Sequence, residues 1–478
     1  MSSSRGVPPF AIRLFDALKG RAAAVLAKFG LKPDTSSLQG RIVRNASWIA
    51  IGYGSEIVIR FGSSLITTRL LDPSAYGLIA TVSVIMTMVF MLSDLGLRQV
   101  VLTSDRGDEP TFLRSIWTIQ ILRGFALMLL LWAGAWGWWT VQQNGWIAPD
   151  SSYANPMLPG LLALIGCSLA AMGFASINIF RLERHLDQGA VTRMDIGTRL
   201  ITSFLTVFFT FWLRSVWGIA IAMTLGALIR SIRSLMVLPG PRMKLHLKRA
   251  DLGAILTHSR WIALSSGLGV LTSSGDKLVI GYGFGMELLG VYAVAFALTD
   301  SLNTIIARMQ TSMGISIMRA LNEKPLAERQ AAFYRFRRPI ELYCLAAGIG
   351  LVLLGPLFFQ IMYDPRYHEA GHFAALLGVG FILTPLGFSS NFALGRQRFK
   401  YMSFVVGLRT ITFFATIGGA VLLGSMELAV IAVSLARLPE YLAYFLIRRG
   451  EIPFRWGRDG GLMAIAAACL AYRLAVGG

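Results

Sequence analysis

Uncharged or nearly uncharged runs recur along almost the whole chain, each about 18 to 25 residues long, the length a helix needs to cross a hydrocarbon core of about 30 Å. Twelve are read, near 47–67, 75–95, 113–138, 157–179, 196–213, 217–237, 261–281, 287–312, 340–362, 371–394, 402–423 and 427–447. A thirteenth, 461–475, is short and carries Arg473, so whether it spans stays open. Inside lipid the backbone must satisfy its own polar groups, which leaves only helices and closed barrels. The alternating segments of about ten residues that a barrel requires are absent. The expected fold is therefore an all-α polytopic membrane protein. With 55% hydrophobic and 15% charged residues, against about 25% charged in soluble domains, a water-soluble multidomain protein is excluded.

The formal net charge of +20 raises the question of nucleic acid, and the placement of the charge answers it. With the N-terminus inside, the cytoplasmic segments hold 32 of the 45 Lys and Arg, while the outer connections hold only Arg69, Arg214 and Arg366. That asymmetry orients the chain by the positive-inside rule and accounts for the charge without a nucleic-acid partner. The stretch Pro9 to Gly30 interleaves Phe10, Leu14, Leu18 and Val25 with basic residues, compatible with an amphipathic helix on anionic lipid or with a solvated basic tail. Cys167, Cys344 and Cys469 all lie in apolar runs, which suggests neither a disulfide framework nor a thiolate metal site.

The second half restarts near residue 260 with the same order of features, at an offset of 213 residues. Leu71-Asp72-Pro73-Ser74-Ala75-Tyr76-Gly77-Leu78 has its counterpart in Gly285-Met286-Glu287-Leu288-Leu289-Gly290-Val291-Tyr292. Two six-helix bundles related by an internal repeat follow, with an extra short C-terminal helix as an option. The divisions are a basic segment 1–46, a first lobe 47–238, a cytoplasmic linker 239–260, a second lobe 261–447, and a basic loop with a short apolar segment over 448–478. Repeated bundles of this kind commonly enclose a transported substrate between them. No connection is long enough for the soluble platform of a polymerase or glycosyltransferase, and the chain is expected not to be an enzyme.

Charges inside spans are costly and usually face a cavity or a partner. Glu56 and Arg60 stand four residues apart on one face of the first span, extended by Tyr53, Ser63, Ser64 and Thr67. The seventh span carries Asp276 and Lys277, the eighth Asp300, Asn303, Thr304 and Arg308, and the fifth Arg199, Ser203, Thr206 and Thr210. Arg123 and Arg409 are further cations within spans. Matching polar faces in both halves point to an aqueous, cation-lined central cavity, although Glu56 with Arg60 and Asp276 with Lys277 could equally be salt bridges that hold helix register. Arg199 and Arg230 lie near the cytoplasmic interface, where snorkelling explains them.

His368-Glu369-Ala370-Gly371-His372 fits the H-E-x-x-H zinc pattern. It sits in a short outer loop, includes Gly371 and lacks a third ligand, so a helix start is the stronger reading and an intramembrane zinc protease the weaker. Gly281-Tyr282-Gly283-Phe284-Gly285 lacks the strand and helix that dinucleotide binding needs and is expected to form a flexible outer turn.

Together, Arg69-Leu70-Leu71-Asp72-Pro73-Ser74-Ala75-Tyr76-Gly77, Ser93-Asp94-Leu95-Gly96-Leu97 and Asp276-Lys277-Leu278-Val279-Ile280-Gly281 leading to Gly290-Val291-Tyr292 resemble the polysaccharide transporter family. These are the Wzx-type O-antigen flippases within the multidrug/oligosaccharidyl-lipid/polysaccharide (MOP) exporter superfamily, to which the MATE transporters also belong. The resemblance covers roughly residues 40 to 450. It implies two rocking six-helix lobes that pass undecaprenyl-diphosphate-linked oligosaccharide across the bacterial inner membrane, in a pathway shared with a polymerase and a chain-length regulator. On that reading Arg60, Arg123, Lys277, Arg308 and Arg409 are expected to hold the diphosphate. Glu56, Asp276 and Asp300 are candidates for H+ or Na+ coupling, and no organic cofactor or metal is expected. A cation-coupled multidrug exporter of the same superfamily is the alternative.

Overall fold

The computed structural model describes residues 38–477 apart from 94, 148–151, 186, 310–324, 388–398, 440 and 442–455. The basic segment Pro9 to Gly30 lies outside the described residues. The first lobe comprises α1 (Leu38–Leu70), α2 (Pro73–Leu92), α3 (Leu97–Thr103), α4 (Pro110–Gln143), α5 (Met157–Gly173), α6 (Asn178–Arg184), α7 (Gln188–Leu213) and α8 (Val216–Val237). Proline opens both α2 and α4, where its missing N–H costs nothing because the first turn has no partner for it. The helix pair α5 and α6 is bent by 57°, so the fourth span is broken.

The second lobe starts with one helical stretch, Arg249–Met309, interrupted at Gly285, whose φ of 92° only glycine adopts readily. We label its parts α9 (249–284) and α10 (286–309). They fold back on each other, since Tyr292 of α10 donates to Asp276 of α9 and Lys277 lies over the Phe296 ring. The chain continues through α11 (Leu326–Met362), α12 (Glu369–Leu383), α13 (Phe399–Leu422), α14 (Met426–Leu435) and α15 (Gly461–Gly477). One expectation is corrected here. Gly281 and Gly283 are helical, pressed against Leu289 and Val421, and only Gly285 turns. The helix α9 begins at Arg249, inside the stretch 239–260 read as the linker.

Among the described residues, nine helical stretches are long and apolar enough to cross a bilayer, or ten with the bent pair. One of them, Ser274–Ile306, contains the fold-back at Gly285. The helices α13 and α14 contribute shorter apolar segments that adjoin residues outside the description. The open question over 461–475 resolves as a helix, part of the span-length stretch Gly457–Val476. Both ends of it are tied to the second lobe. Asp459, just before α15, accepts from Arg337, which also donates to Glu341 at 2.5 Å. At the far end Arg473 bonds His372 at 2.8 Å, and His372 bonds Glu427 at 2.9 Å.

The lobes meet at the end that carries few basic residues, called here the outer end. The contact is pseudo-symmetric. A Cβ on Gly77 would overlap the backbone of Met286, and one on Gly290 would overlap the backbone of Pro73. Pro73 and Met286, like Gly77 and Gly290, are related by the 213-residue offset of the repeat. Arg366 adds ion pairs to Asp72 and Asp364, the Tyr367 hydroxyl donates to the Leu71 carbonyl at 2.9 Å, and the Tyr153 hydroxyl donates to the Leu278 carbonyl at 2.6 Å. Buried residues of both lobes form one core here, with Leu78, Val82, Leu289, Tyr292 and Tyr367 among them. The cores nearer the opposite end belong to single lobes.

Candidate functional site

A polar cavity lies within the first lobe. It holds about 580 Å³ between α1, α6, α7 and α8, and its walls include Tyr53, Glu56, Arg98, Glu183, Asp195, Arg199 and Arg230. Its charges are paired across helices. Arg199 meets Glu56 at 2.8 Å, Arg230 meets Asp195 at 3.1 Å, and Arg98 grips Glu183 through two nitrogens, Nε at 2.9 Å and Nη2. Each pair joins separate elements, so the cavity is framed by three guanidinium–carboxylate crosslinks. Its contents are close to neutral. An anion entering would have to compete with these carboxylates, and a cation with these arginines.

A second cavity of about 300 Å³ adjoins it, sharing Arg98, Ile179, Phe180 and Arg230 as walls and adding Gln120 and Arg123. Arg123 donates to the Ser93 hydroxyl at 3.1 Å and to the Phe90 carbonyl at 2.6 Å, with its guanidinium 4.4 Å from the centre of the Phe90 ring. This ties the middle of α4 to the end of α2.

The remaining predicted site residues are dispersed. Arg60 is exposed on α1, within electrostatic reach of Tyr363; its neighbour on the same face, Glu56, turns instead to Arg199 on α7. In the second lobe Asp276 is buried, accepts from the Tyr292 hydroxyl at 2.5 Å, and has Lys277 at 3.7 Å. The ammonium of Lys277 in turn sits 3.7 Å from the centre of the Phe296 ring, a cation–π contact. Asp300 and Arg409 are half-buried on α10 and α13, and the side chain of Arg308 lies outside the described ones. Among the described residues the expected cations therefore do not converge on one central cavity.

One reading of the polar spans is corrected. The hydroxyls of Thr67, Thr198, Thr202 and Thr206 donate to carbonyls one turn earlier in their own helices. A threonine row satisfies itself in this way, so it does not by itself mark a wet surface. Arg199 and Arg230, read as snorkelling, have carboxylate partners within the lobe. Arg98, Glu183 and Asp195, which complete the cavity, carry no signal in the sequence, because their partners lie 35 to 85 residues away.

At the basic end of the first lobe, Asp108 accepts from His185 at 2.6 Å and lies 3.3 Å and 3.4 Å from Arg181 and Arg184. The bond to His185, followed by the two arginines, holds the Asp108 carboxyl below its usual range. Neighbouring Glu109, bonded by Arg106 and Thr111, is held down to about 2. This network braces α6 against the loop before α4.

The H-E-x-x-H sequence falls at the start of α12. Among the described residues no group of three or more His, Cys, Asp or Glu could hold a metal ion. His368 stands at the N-cap position of α12 without a side-chain capping bond, and His372 is engaged with Glu427 and Arg473.

A two-lobed helical bundle, joined at one end through a repeated crossing and holding a charged cavity, has counterparts among solved membrane proteins. An inward-facing multidrug resistance MATE family transporter of the MOP superfamily is similar with a TM-score of 0.61 at 13% identity, over 86% of this chain and 95% of that one. An outward-facing conformation of such a transporter gives 0.58 at 14%, over 90% and 96%. A MOP superfamily transporter from Pyrococcus furiosus, described as having a binding pocket of reversed polarity that suggests a different function, also gives 0.58 at 14%, over 90% and 96%. At such identities the likeness concerns the fold. No curated protein matches the sequence. Residues 66–372 match the family described as polysaccharide biosynthesis protein, and the chain belongs to that family.

Proposed function

We propose that this protein flips undecaprenyl-diphosphate-linked oligosaccharide across the bacterial inner membrane by alternating access, with its N-terminus cytoplasmic. The observation that carries the reading is the combination of a polysaccharide biosynthesis family with interlobe hydrogen bonds and ion pairs gathered at the outer end. Such an arrangement leaves the basic end of the lobes to admit a headgroup from the inner leaflet. Arginine suits this cargo because its fork makes charge-assisted bonds to phosphate oxygens. On this proposal Arg60, Arg123, Lys277, Arg308 and Arg409 contact the diphosphate as the lobes rock. Glu56, Asp276 and Asp300 couple the motion to H+ or Na+, and the glycan passes to a polymerase and a chain-length regulator on the far side.

The test is polysaccharide export in a strain that depends on this chain, with Arg60→Ala and Lys277→Ala at normal protein levels. Export should fall in both; unchanged export in both refutes the binding role. A second reading is a multidrug exporter that takes cations, since the near-neutral first-lobe cavity, with three carboxylates matched to three arginines, carries no net positive charge to repel one. Strong drug efflux together with normal polysaccharide would select it.

A further inference from the structure

The chain between the lobes is neither helix nor slack. From 242 to 248 it forms neither helix nor strand, and two bonds pin it to α4. Arg114 Nε donates to the Arg242 carbonyl at 3.2 Å, and the His246 N–H donates to the Thr118 hydroxyl at 2.9 Å. Asn178 of α6 adds a third, to the Pro241 carbonyl at 3.2 Å. In sequence the segment interleaves Met243, Leu245 and Leu247 with Arg242, Lys244, His246 and Lys248.

Met243 packs on the core that holds Leu97, Phe112 and Ile116. Leu245 and Leu247, farther along, are 71% and 41% exposed. Exposed leucines on a segment pinned to its lobe need an apolar neighbour, and the adjoining surface names it. One turn beyond Thr118 on α4 stand Leu122 and Phe125, 56% and 41% exposed, in the part of that helix long and apolar enough to cross the bilayer. The leucines thus continue a lipid-facing surface at its basic end. Beside the leucines stand three exposed cations, Arg242, Lys244 and Lys248, and from Gly240 to Ala250 the sequence has no acidic residue.

We propose that the interlobe strap 241–248 is a docking surface for anionic phospholipid. Leu245 and Leu247 enter the edge of the acyl region, and Arg242, Lys244 and Lys248 collect phosphate headgroups around it. Apolar insertion combined with a short basic cluster is the usual recipe for binding in the membrane interface. The strap joins the lobes, so the leaflet holds the connection that any rocking motion must flex. The inference does not depend on which substrate is carried.

The test uses the full chain in nanodiscs, with the native cysteines replaced and a fluorophore on Leu245→Cys. Spin-labelled phosphatidylglycerol and spin-labelled phosphatidylcholine serve as quenchers, iodide as the aqueous one, and a label on Trp146→Cys as the loop reference. Expected are quenching at 245 by lipid, weak quenching by iodide, and an apparent affinity for phosphatidylglycerol roughly tenfold above that for phosphatidylcholine. In the Arg242→Gln, Lys244→Gln, Lys248→Gln variant the two lipids should quench equally, with the thermal midpoint of the protein unchanged. Iodide quenching at 245 as strong as at 146, or a phosphatidylglycerol preference that survives the triple change, overturns the proposal. Loss of polysaccharide export alone bears on the proposed function and leaves these readouts untouched.

Discussion

Gly290→Ala tests whether the outer crossing holds the lobes closed. A Cβ at residue 290 would overlap the Pro73 carbonyl oxygen outright and stand 2.6 Å from its carbon and 3.0 Å from the Gly77 nitrogen, where ordinary contact is 3.4–4 Å. All three obstacles are backbone in helix, with no rotamer to yield, so α2 and α10 must part by roughly 1.5–2 Å, and overpacking costs at least about 1–3 kcal/mol. The strain exists only while the crossing is closed. The substitution therefore acts as a bias between two states, and a bias of that size shifts their ratio by roughly 5- to 150-fold. Spin labels on Trp146→Cys and Leu423→Cys, exposed outer-end positions of the two lobes, report the separation by double electron–electron resonance. The longer-distance population should rise from minor to dominant, and Gly77→Ala should reproduce the effect because it meets Met286 from the repeat-related side. A distance distribution unchanged by both substitutions, in protein of normal stability, refutes the crossing as the closure.

Three further outcomes are expected. Asp108 has its carboxyl lowered by His185; a lowered folded value means that its stabilisation is present above the ordinary carboxylate value and disappears as pH falls through the folded one, so proteolysis of the loop before α4 should accelerate below about pH 4, and Asp108→Asn should show the faster rate already at pH 7. Asp459→Asn withdraws a carboxylate from Arg337, which is only 3% exposed. Because Glu341 remains, the loss should be about 2–3 kcal/mol, at the lower edge of that for a broken buried pair, read as a fall in thermal midpoint that Tyr334→Phe does not match. Metal analysis of purified protein should give less than one zinc per chain, a value that His368→Ala and His372→Ala leave unchanged; stoichiometric zinc lost in both variants would restore the protease reading.

The fold was legible because its cause is one-dimensional: apolar length and the placement of Lys and Arg follow from the bilayer alone. The repeat was legible too, and the crossing of Gly77 and Gly290 gives its offset a physical meaning. The site was far less so. Charged residues at i and i+4, such as Glu56 and Arg60, share a face, yet a side chain selects the nearest partner in space, and α7 offers Arg199. Arg98 and Glu183 are 85 residues apart, a separation that no local pattern encodes. Threonine rows misled for a related reason, since a hydroxyl that bonds its own helix looks the same in sequence as one that faces water. His368 and His372 satisfied a spacing rule without a third donor, and the structure spends His372 on the end of α15 instead.

The turn at Gly285 joins α9 to α10 through a single non-helical residue, and its repeat-related counterpart between α1 and α2 is only the pair Leu71 and Asp72. Neither joint holds spare chain, and both adjoin the glycine crossing. Any change of angle between the paired helices has only one or two residues to absorb it, and over the length of the helices a small change there becomes a larger displacement at their far tips.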